Sequence, residues 1–358
     1  MNKSAFTGKI VLVTGAAGFV GSHLVEYLSK VGASVIALDN RETSFWRQLK
    51  ENTPSVMTVR GSLSDNSVLK EIFTQHTPEF IFHLAGNANV PSSVKDPRMD
   101  FTANCINTLE LLEAVRSYTP KSRVVLASSS AVYGEPGKDK ITEDTPLKPI
   151  SPYGTSKLCA EELCRIYYKT YGVQTLITRL FNCYGPRMGR FVILDFIKKL
   201  TNDSSTLEIL GDGTQTRDFT YIDDVIHGLT LVAEKGIAGE SYNISSGTSH
   251  TVTELAQYVI EALHLRGTTS LNYTGSSWKG DAQFWSVSIC KAQLLGYTPR
   301  TELKSGVKHV VAWHKLSLNN HVDKSVTSTA TVTASPSPLA ALSTGIKNAL
   351  DWYRRRSP

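Results

Sequence analysis

No apolar run in this 358-residue chain approaches the ~20 residues needed to cross a bilayer. The opening MNKSAFTGK passes into a strand-like run without the apolar stretch of a secretion signal. Cysteine is scarce: five residues, an odd number, with no CxxC pair. A disulfide framework and a zinc site are therefore not expected, no metal is expected, and reduced thiols suit a cytoplasmic protein. Charge of one sign is scarce too. Thirty-eight basic against 32 acidic side chains leave a net +6, dispersed apart from Arg354, Arg355 and Arg356 at the end. A balance that mild argues against a nucleic-acid partner.

What remains reads as an α/β protein. KIVLVTG, ASVIALDN, FIFHLAG and RVVLASSS alternate with amphipathic stretches such as HLVEYLSKVG and TLELLEAVRSY. Strands of β-branched residues separated by helical patterns predict βαβ units in a parallel, doubly wound Rossmann-type sheet. A smaller C-terminal α/β part follows. The expected division is 1–181 with 218–246 for the dinucleotide-type part, and 182–217 with 247–315 for a substrate-binding part. Ser151 and Pro152 open a helix that Gly172 closes. Residues 316–338, rich in Ser and Thr, read as a linker, and 339–358 as an extra helix. That last helix repeats an earlier one: LKSGVKHVVAWHK (303–315) aligns without gaps with LSTGIKNALDWYR (342–354).

Two motifs carry chemistry. In KIVLVTGAAGFVGSHL, Gly15, Gly18 and Gly21 stand where a strand turns into a helix. Glycines permit the tight turn and let a pyrophosphate approach the helix N-terminus. Asp39, at the end of the second strand, suits a ribose 2′-hydroxyl and so favours NAD over NADP, with nearby Arg41 weakening that preference. In SPYGTSK, Tyr153 and Lys157 stand at i, i+4 and share a helix face. An ammonium beside a tyrosine lowers its pKa from about 10 and makes it a better base.

Together these motifs resemble the extended short-chain dehydrogenase/reductase family, in its NAD-dependent nucleotide-sugar epimerase and dehydratase branch. The likeness extends over roughly residues 8–315, through HLAGNANVPSSVKDP, RLFNCYGPR and LGDGTQTRDFTYIDDV. It implies NAD held by Gly15, Gly18, Phe19, Val20, Gly21, Asp39, Asn40, Ser62, Leu63, Leu84, Ala85, Asn104, Tyr153 and Lys157. It implies catalysis by Ser129, Tyr153 and Lys157, with Ser129 four places before the tyrosine of VYG. A nucleotide-diphosphate sugar would meet Asn87, Ser129, Ser130, Tyr153, Asn182, Arg217, Trp278 and Asp281. A homodimer through the TLELLEAVRSY and 156–171 helices is also implied.

One more scarcity separates the branch's activities. Its dehydratases carry Asp and Glu just after the catalytic hydroxyl residue, and its decarboxylases keep the glutamate. In SSSAVYG those positions are Ser130 and Ala131. The expected reaction is therefore 4-epimerisation through a transient C4 ketone. A 4-ketosugar reductase, a dehydratase and a non-catalytic cofactor-binding scaffold stand as alternatives. Two departures are notable: Trp278 replaces the arginine expected three places before Asp281, and Ser62 replaces an acid in the usual GDL.

Overall fold

A computed structural model describes residues 4–41, 46, 53, 55–276 and 283–326. Its centre is a seven-stranded sheet in the order β11-β6-β5-β4-β1-β2-β3, with every neighbouring pair parallel. The strands are β1 (Ile10–Thr14), β2 (Ser34–Asp39), β3 (Met57–Arg60), β4 (Phe80–His83), β5 (Arg123–Ser129), β6 (Gln174–Leu180) and, later in the chain, β11 (Ser241–Ile244). Alternation sorts their side chains. Val11, Val13, Val35, Ala37, Phe82, Val125 and Leu176 enter one apolar layer, while Leu12, Ile36, Leu38, Ile81, Val124, Leu126 and Ile177 enter the other. Both faces are covered, as parallel sheets require.

Against the first layer lie α1 (Phe19–Lys30) and α8 (Ile222–Lys235); against the second, α2 (Asn66–Gln75), α5 (Asn107–Tyr118) and α6 (Pro152–Tyr171). Between them in the chain come α3 (Val90–Lys95), α4 (Pro97–Phe101), a π-helical turn Thr102–Ile106 and α7 (Val192–Asn202). Strand order reverses between β1 and β4, so the cleft at their carboxyl ends is where such sheets bind ligands.

Three two-stranded sheets lie in the part expected to bind substrate or join it to the rest, since the strand Thr220–Tyr221 falls within 218–246. They pair β7 (Cys183–Tyr184) with β10 (Thr220–Tyr221), β8 (Thr206–Ile209) with β13 (Ser270–Tyr273), and β9 (Thr216–Asp218) with β12 (Ser249–Thr251). The helices α9 (Val252–Ala262), α10 (Cys290–Leu294) and α11 (Leu303–Val326) complete this part. One apolar cluster joins Leu24 of α1 to Ile197 of α7 and Leu255 of α9. Residues 1–313 accordingly form one compact unit and 314–358 a second. The expected linker is corrected over its first half: 316–326 continues α11, because no Gly or Pro interrupts the chain between Gly306 and Pro336. The rest of that segment and the repeated helix at 339–358 lie outside the described residues. Among the described residues no helix is long and apolar enough to cross a membrane.

Beneath the sheet's carboxyl edge runs a buried ionic network. The Arg179 side chain (2% exposed) grips the fully buried Glu161 of α6 with Nη2–Oε2 at 2.8 Å and Nε–Oε1 at 3.0 Å. Ser128 donates to the same carboxylate at 2.6 Å. Arg179 also donates to the Tyr133 hydroxyl at 2.8 Å, which donates to Asn243 Oδ1 at 2.7 Å. Burial works to raise the Glu161 pKa, but Arg179 outweighs it and holds the carboxyl below its usual range. Ser128 thus serves this carboxylate. Removing one partner strands a buried charge. Arg179→Met should cost about 3–5 kcal/mol of stability in urea unfolding, and Glu161→Leu in the same chain should restore most of it.

Candidate active site

The glycine turn is built by contact. A Cβ on Gly21 would lie 2.1 Å from the Gly15 carbonyl oxygen, and one on Gly15, whose φ is +69°, 2.6 Å from the Ala85 nitrogen. Only glycine lets β1, the 84–85 strand end and the first turn of α1 come this close. Gly18 caps α1 beside Phe19 and Val20 without a side-chain hydrogen bond, and the Arg41 guanidinium lies against it, with Nη2 3.2 Å from where a Gly18 Cβ would stand. At the tip of β2, Asp39 is 5% exposed. Its Oδ2 accepts from Ala17 N at 3.0 Å and its Oδ1 from Arg41 N at 2.9 Å. Arg41 Nε lies 3.4 Å from Oδ1, which ties to Asp39 the guanidinium that would otherwise welcome a 2′-phosphate. Asn40 is exposed and Leu63 buried, and the Ser62 hydroxyl is bonded to that of Ser64 at 2.7 Å.

The helix carrying Tyr153 and Lys157 is fixed at both ends. Ser151 Oγ accepts from Gly154 N at 3.1 Å, Pro152 takes the first turn, and Gly172 ends the helix at φ 72°. Tyr153 N donates to Ser93 Oγ of α3 at 3.1 Å. Lys157, 5% exposed, donates from Nζ to the Ala127 carbonyl at 3.0 Å on the neighbouring strand end. Ser129, at the tip of β5, accepts from Ala131 N at 3.2 Å, and its hydroxyl works to hold the Tyr153 pKa down. The three side chains named together from the sequence therefore meet at one end of the sheet.

Their electrostatics differ from the expectation. Burial raises the Tyr153 pKa to about 12; the Ser129 hydroxyl works against this, Asp100 and Cys183 add to it, and the Arg190 charge opposes it. Lys157 is not among the groups that lower it. The correction follows from direction: Nζ turns to the Ala127 carbonyl, and burial itself depresses the lysine pKa to about 8, with Asp100 and Glu161 working to hold it up.

Asp100, Ser156, His83 and Thr108, which gather around the expected Asn104, were invisible in the sequence. Asn104, 1% exposed, donates from Nδ2 to Asp100 Oδ1 at 3.2 Å and to Ser156 Oγ at 3.0 Å, leaving its Oδ1 buried without a hydrogen-bond partner. That oxygen and Lys157 Nζ flank Gly86, where a Cβ would lie 2.4 Å and 3.3 Å from them. His83 joins Thr14, at 2.8 Å from Nδ1, to Thr108, at 3.0 Å from Nε2. Thr108 gives its proton to the Asn104 carbonyl and Thr14 accepts from Ala85 N, so the network assigns the His83 proton to Nε2. Burial, with Lys157 adding to it, pushes the imidazole down to about 3, and it stays neutral.

The expected substrate residues fare unevenly. Asn87 is corrected: Nδ2 donates to Asp100 Oδ1 at 2.6 Å and Ser92 Oγ at 3.0 Å, while Oδ1 accepts from Asn89 N at 3.2 Å. Its amide braces a loop. Asn182 is exposed at φ 27° with Nδ2 on the Asp218 carbonyl, 3.0 Å away. Arg217 is half-buried on β9, donating to the Thr216 carbonyl at 2.7 Å. Ser130 is half-buried in a 3₁₀ turn after β5. Trp278 and Asp281 lie outside the described residues.

Two observations test the fit of NAD. The glycine turn packs backbone on backbone at the N-terminus of α1 too closely for any Cβ at Gly15 or Gly21, and Asn104 Oδ1 is a buried acceptor lacking a donor. Both suit a dinucleotide with phosphates and ribose hydroxyls. Gly86, at φ 152°, should not tolerate a side chain: Gly86→Ala should weaken NAD binding roughly 10- to 100-fold in calorimetry, through strain and the clash with Asn104.

The family model described as GDP-mannose 4,6 dehydratase matches residues 12–310. A putative UDP-glucose 4-epimerase of Methanocaldococcus jannaschii is 34% identical over 310 residues, 86% of this chain and 98% of that protein. The crystal structure of a Thermotoga maritima UDP-glucose 4-epimerase with UDP-glucose superposes at TM-score 0.79 and 33% identity, covering 86% of this chain and 99% of the other. A Streptomyces venezuelae dTDP-glucose 4,6-dehydratase solved with NAD gives TM-score 0.77 at 30% identity, over 87% and 98%. With its glycine turn, Tyr153/Lys157 helix and seven-stranded sheet, the chain belongs to this family, the nucleotide-sugar epimerase and dehydratase branch of the extended short-chain dehydrogenases/reductases.

Proposed function

We propose that the protein is an NAD-dependent 4-epimerase of a UDP-activated sugar. The observation that carries this is the end of β5: Ser129 acts on Tyr153 from its tip, and the next two positions are Ser130 and Ala131. Neither side chain can act as a carboxyl acid, so the site has no group there to remove water after oxidation at C4. The family model's dehydratase description is thus no guide to the reaction, and the UDP-sugar epimerases among its relatives are.

The residues divide the work as follows. Gly15, Gly18 and Gly21 hold the NAD pyrophosphate, Asp39 the adenosine ribose, and Asn104 with Lys157 the nicotinamide ribose. Bound NAD supplies the hydride acceptor and donor, and its ring's positive charge favours the Tyr153 phenolate. Tyr153 takes the proton of the C4 hydroxyl, and Ser129, whose lone pair is fixed by Ala131 N, orients that hydroxyl. Tyr153 would give the proton back to the C4 oxygen as hydride re-enters C4 on the opposite face of the turned ketosugar, completing inversion. Asn182 and Arg217 hold the substrate diphosphate, and Trp278 and Asp281 are further residues assigned to the substrate. The Rossmann part (1–181 with 218–246) would then carry NAD and the remainder, to residue 315, the sugar nucleotide.

The protein acts in the cytoplasm as a homodimer through α5 and α6. The exposure of Ile106 (37%) and Ile166 (49%) beside those helices supports this. Sedimentation velocity checks it; a monomer at micromolar concentration would end the idea.

Incubation of NAD-loaded protein with UDP-glucose, UDP-glucuronate or UDP-N-acetylglucosamine should give the C4 epimer of one of them without net NADH. No epimer from any, or accumulation of a 4-keto-6-deoxy sugar, would overturn the reading. Tyr153→Phe should lower kcat by about 10²–10⁴. Lys157 is charged below about pH 8 and neutral above it, so kcat/KM should fall as pH rises through that value.

A further inference from the structure

Asp100, in α4, carried no role in the sequence reading, yet its carboxylate is wholly buried and surrounded by donors. Oδ1 accepts from Asn87 Nδ2 at 2.6 Å and from Asn104 Nδ2 at 3.2 Å, and Oδ2 from Ser156 Oγ at 2.6 Å. All three partners are neutral. A buried carboxylate so placed is costly unless its charge does something.

Two consequences follow from the contacts. The first concerns Asn104. Its Nδ2 donates to Asp100 and to Ser156, so both amide protons are used. A flipped amide would set its oxygen against the carboxylate. The amide can therefore point its Oδ1 only away from Asp100, to the Gly86 side where Lys157 Nζ lies. The second concerns charge. The titratable groups that act on the buried Lys157 are Asp100 from α4, Glu161 and Cys164 from α6, and His83 from β4. His83 is neutral, and Cys164 is a thiol whose pKa burial pushes up to about 12. Glu161 shares its charge with Arg179 and Arg165, at 2.8 Å and 2.7 Å. Asp100 alone of the four brings a negative charge that none of its hydrogen-bond partners neutralises.

We propose that Asp100 is a positioning residue for the NAD-linked reaction: it aims the Asn104 carbonyl into the Lys157 pocket and keeps the Lys157 ammonium charged. This rests on the NAD-dependent reading above. Asp100 acts through Asn104 and Lys157, and no contact with substrate is required of it.

Two variants separate the aim from the charge. Asp100→Asn keeps an oxygen for Asn87 and Asn104 and can donate to Ser156 Oγ, which then donates to the Tyr153 carbonyl, 3.0 Å away. It removes only the charge. Asp100→Glu keeps the charge and displaces the acceptor. NAD binding to the cofactor-free protein is measured by calorimetry from pH 6 to 10, with thermal unfolding to confirm the fold. Asp100→Asn should bind like wild type near pH 6 and lose affinity at a midpoint about one unit lower than wild type. Asp100→Glu should bind about tenfold more weakly at every pH with the wild-type midpoint. An unmoved midpoint in Asp100→Asn, or equal weakening by both variants at all pH, assigns Asp100 a structural role and overturns the proposal. If one variant does not fold, the other still decides its half. NAD binding is read without sugar, so wild-type protein that binds NAD but epimerises nothing would sink the proposed function and leave this test standing.

Discussion

The active centre depends on the buried pairing of Glu161 with Arg179. Glu161 lies on α6, one turn beyond Lys157; Arg179 lies on β6; Ser128, which donates to Glu161, immediately precedes Ser129 on β5. A single carboxylate thus fixes the helix that carries two catalytic side chains against the strand that carries the third. Salt bridges at this depth add little net stability, because desolvation offsets attraction. What this one supplies is register. If α6 slid along β5, Arg179 and Ser128 could not both reach Glu161, and Tyr153 would leave Ser129. Tyr133 extends the network to Asn243 on β11, so four elements share one arrangement.

The parts legible in the sequence are those set by local rules. The strand–glycine–helix turn, the Ser151-Pro152 start and Gly172 end of α6, and the i, i+4 placing of Tyr153 and Lys157 all depend on neighbours a few residues apart. What escaped is set by distant pairing. Ser156 meets Asp100 across 56 residues, and Thr14 meets His83 across 69. Nothing in the local pattern around Asp100 separates it from a surface acid on a short helix. Asn87 failed for a related reason: a motif position names a residue, but the loop it closes consumes its amide. The linker failed over 316–326 because Ser and Thr content suggested irregular chain where no Gly or Pro stands.

Tyr153 and Lys157 illustrate how spacing and energetics diverge. Helical spacing puts both on one face, and a lysine there suggests a lowered tyrosine pKa. Depth reverses the balance. Burial favours the neutral form of each, pushing the phenol up to about 12 and the ammonium down to about 8. A site that only buried this pair would hold a poor base beside an uncharged amine. The surrounding charges therefore matter more than the pair's own proximity. Arg190 acts on the tyrosine from the 185–191 segment, whose Arg190 Nη2 reaches the Ala88 carbonyl at 2.7 Å. Glu161 and Asp100 act on the lysine.

These opposing charges have an internal cost. Asp100 supports the ammonium but also raises the tyrosine pKa, so the same carboxylate helps one catalytic group and hinders the other. The compromise works only if the lysine gains more than the tyrosine loses. Their neighbours tip it that way: Ser129 works to hold the Tyr153 pKa down and Arg190 adds a counter-charge, whereas Lys157 has the Ala127 carbonyl and the two carboxylates. With no acid at 130 or 131, these two positions add no negative charge to raise the tyrosine. The replacement of acids by Ser130 and Ala131 thus serves two ends at once. It withholds the group that would expel water, and it spares the base a repulsion that burial has already made expensive.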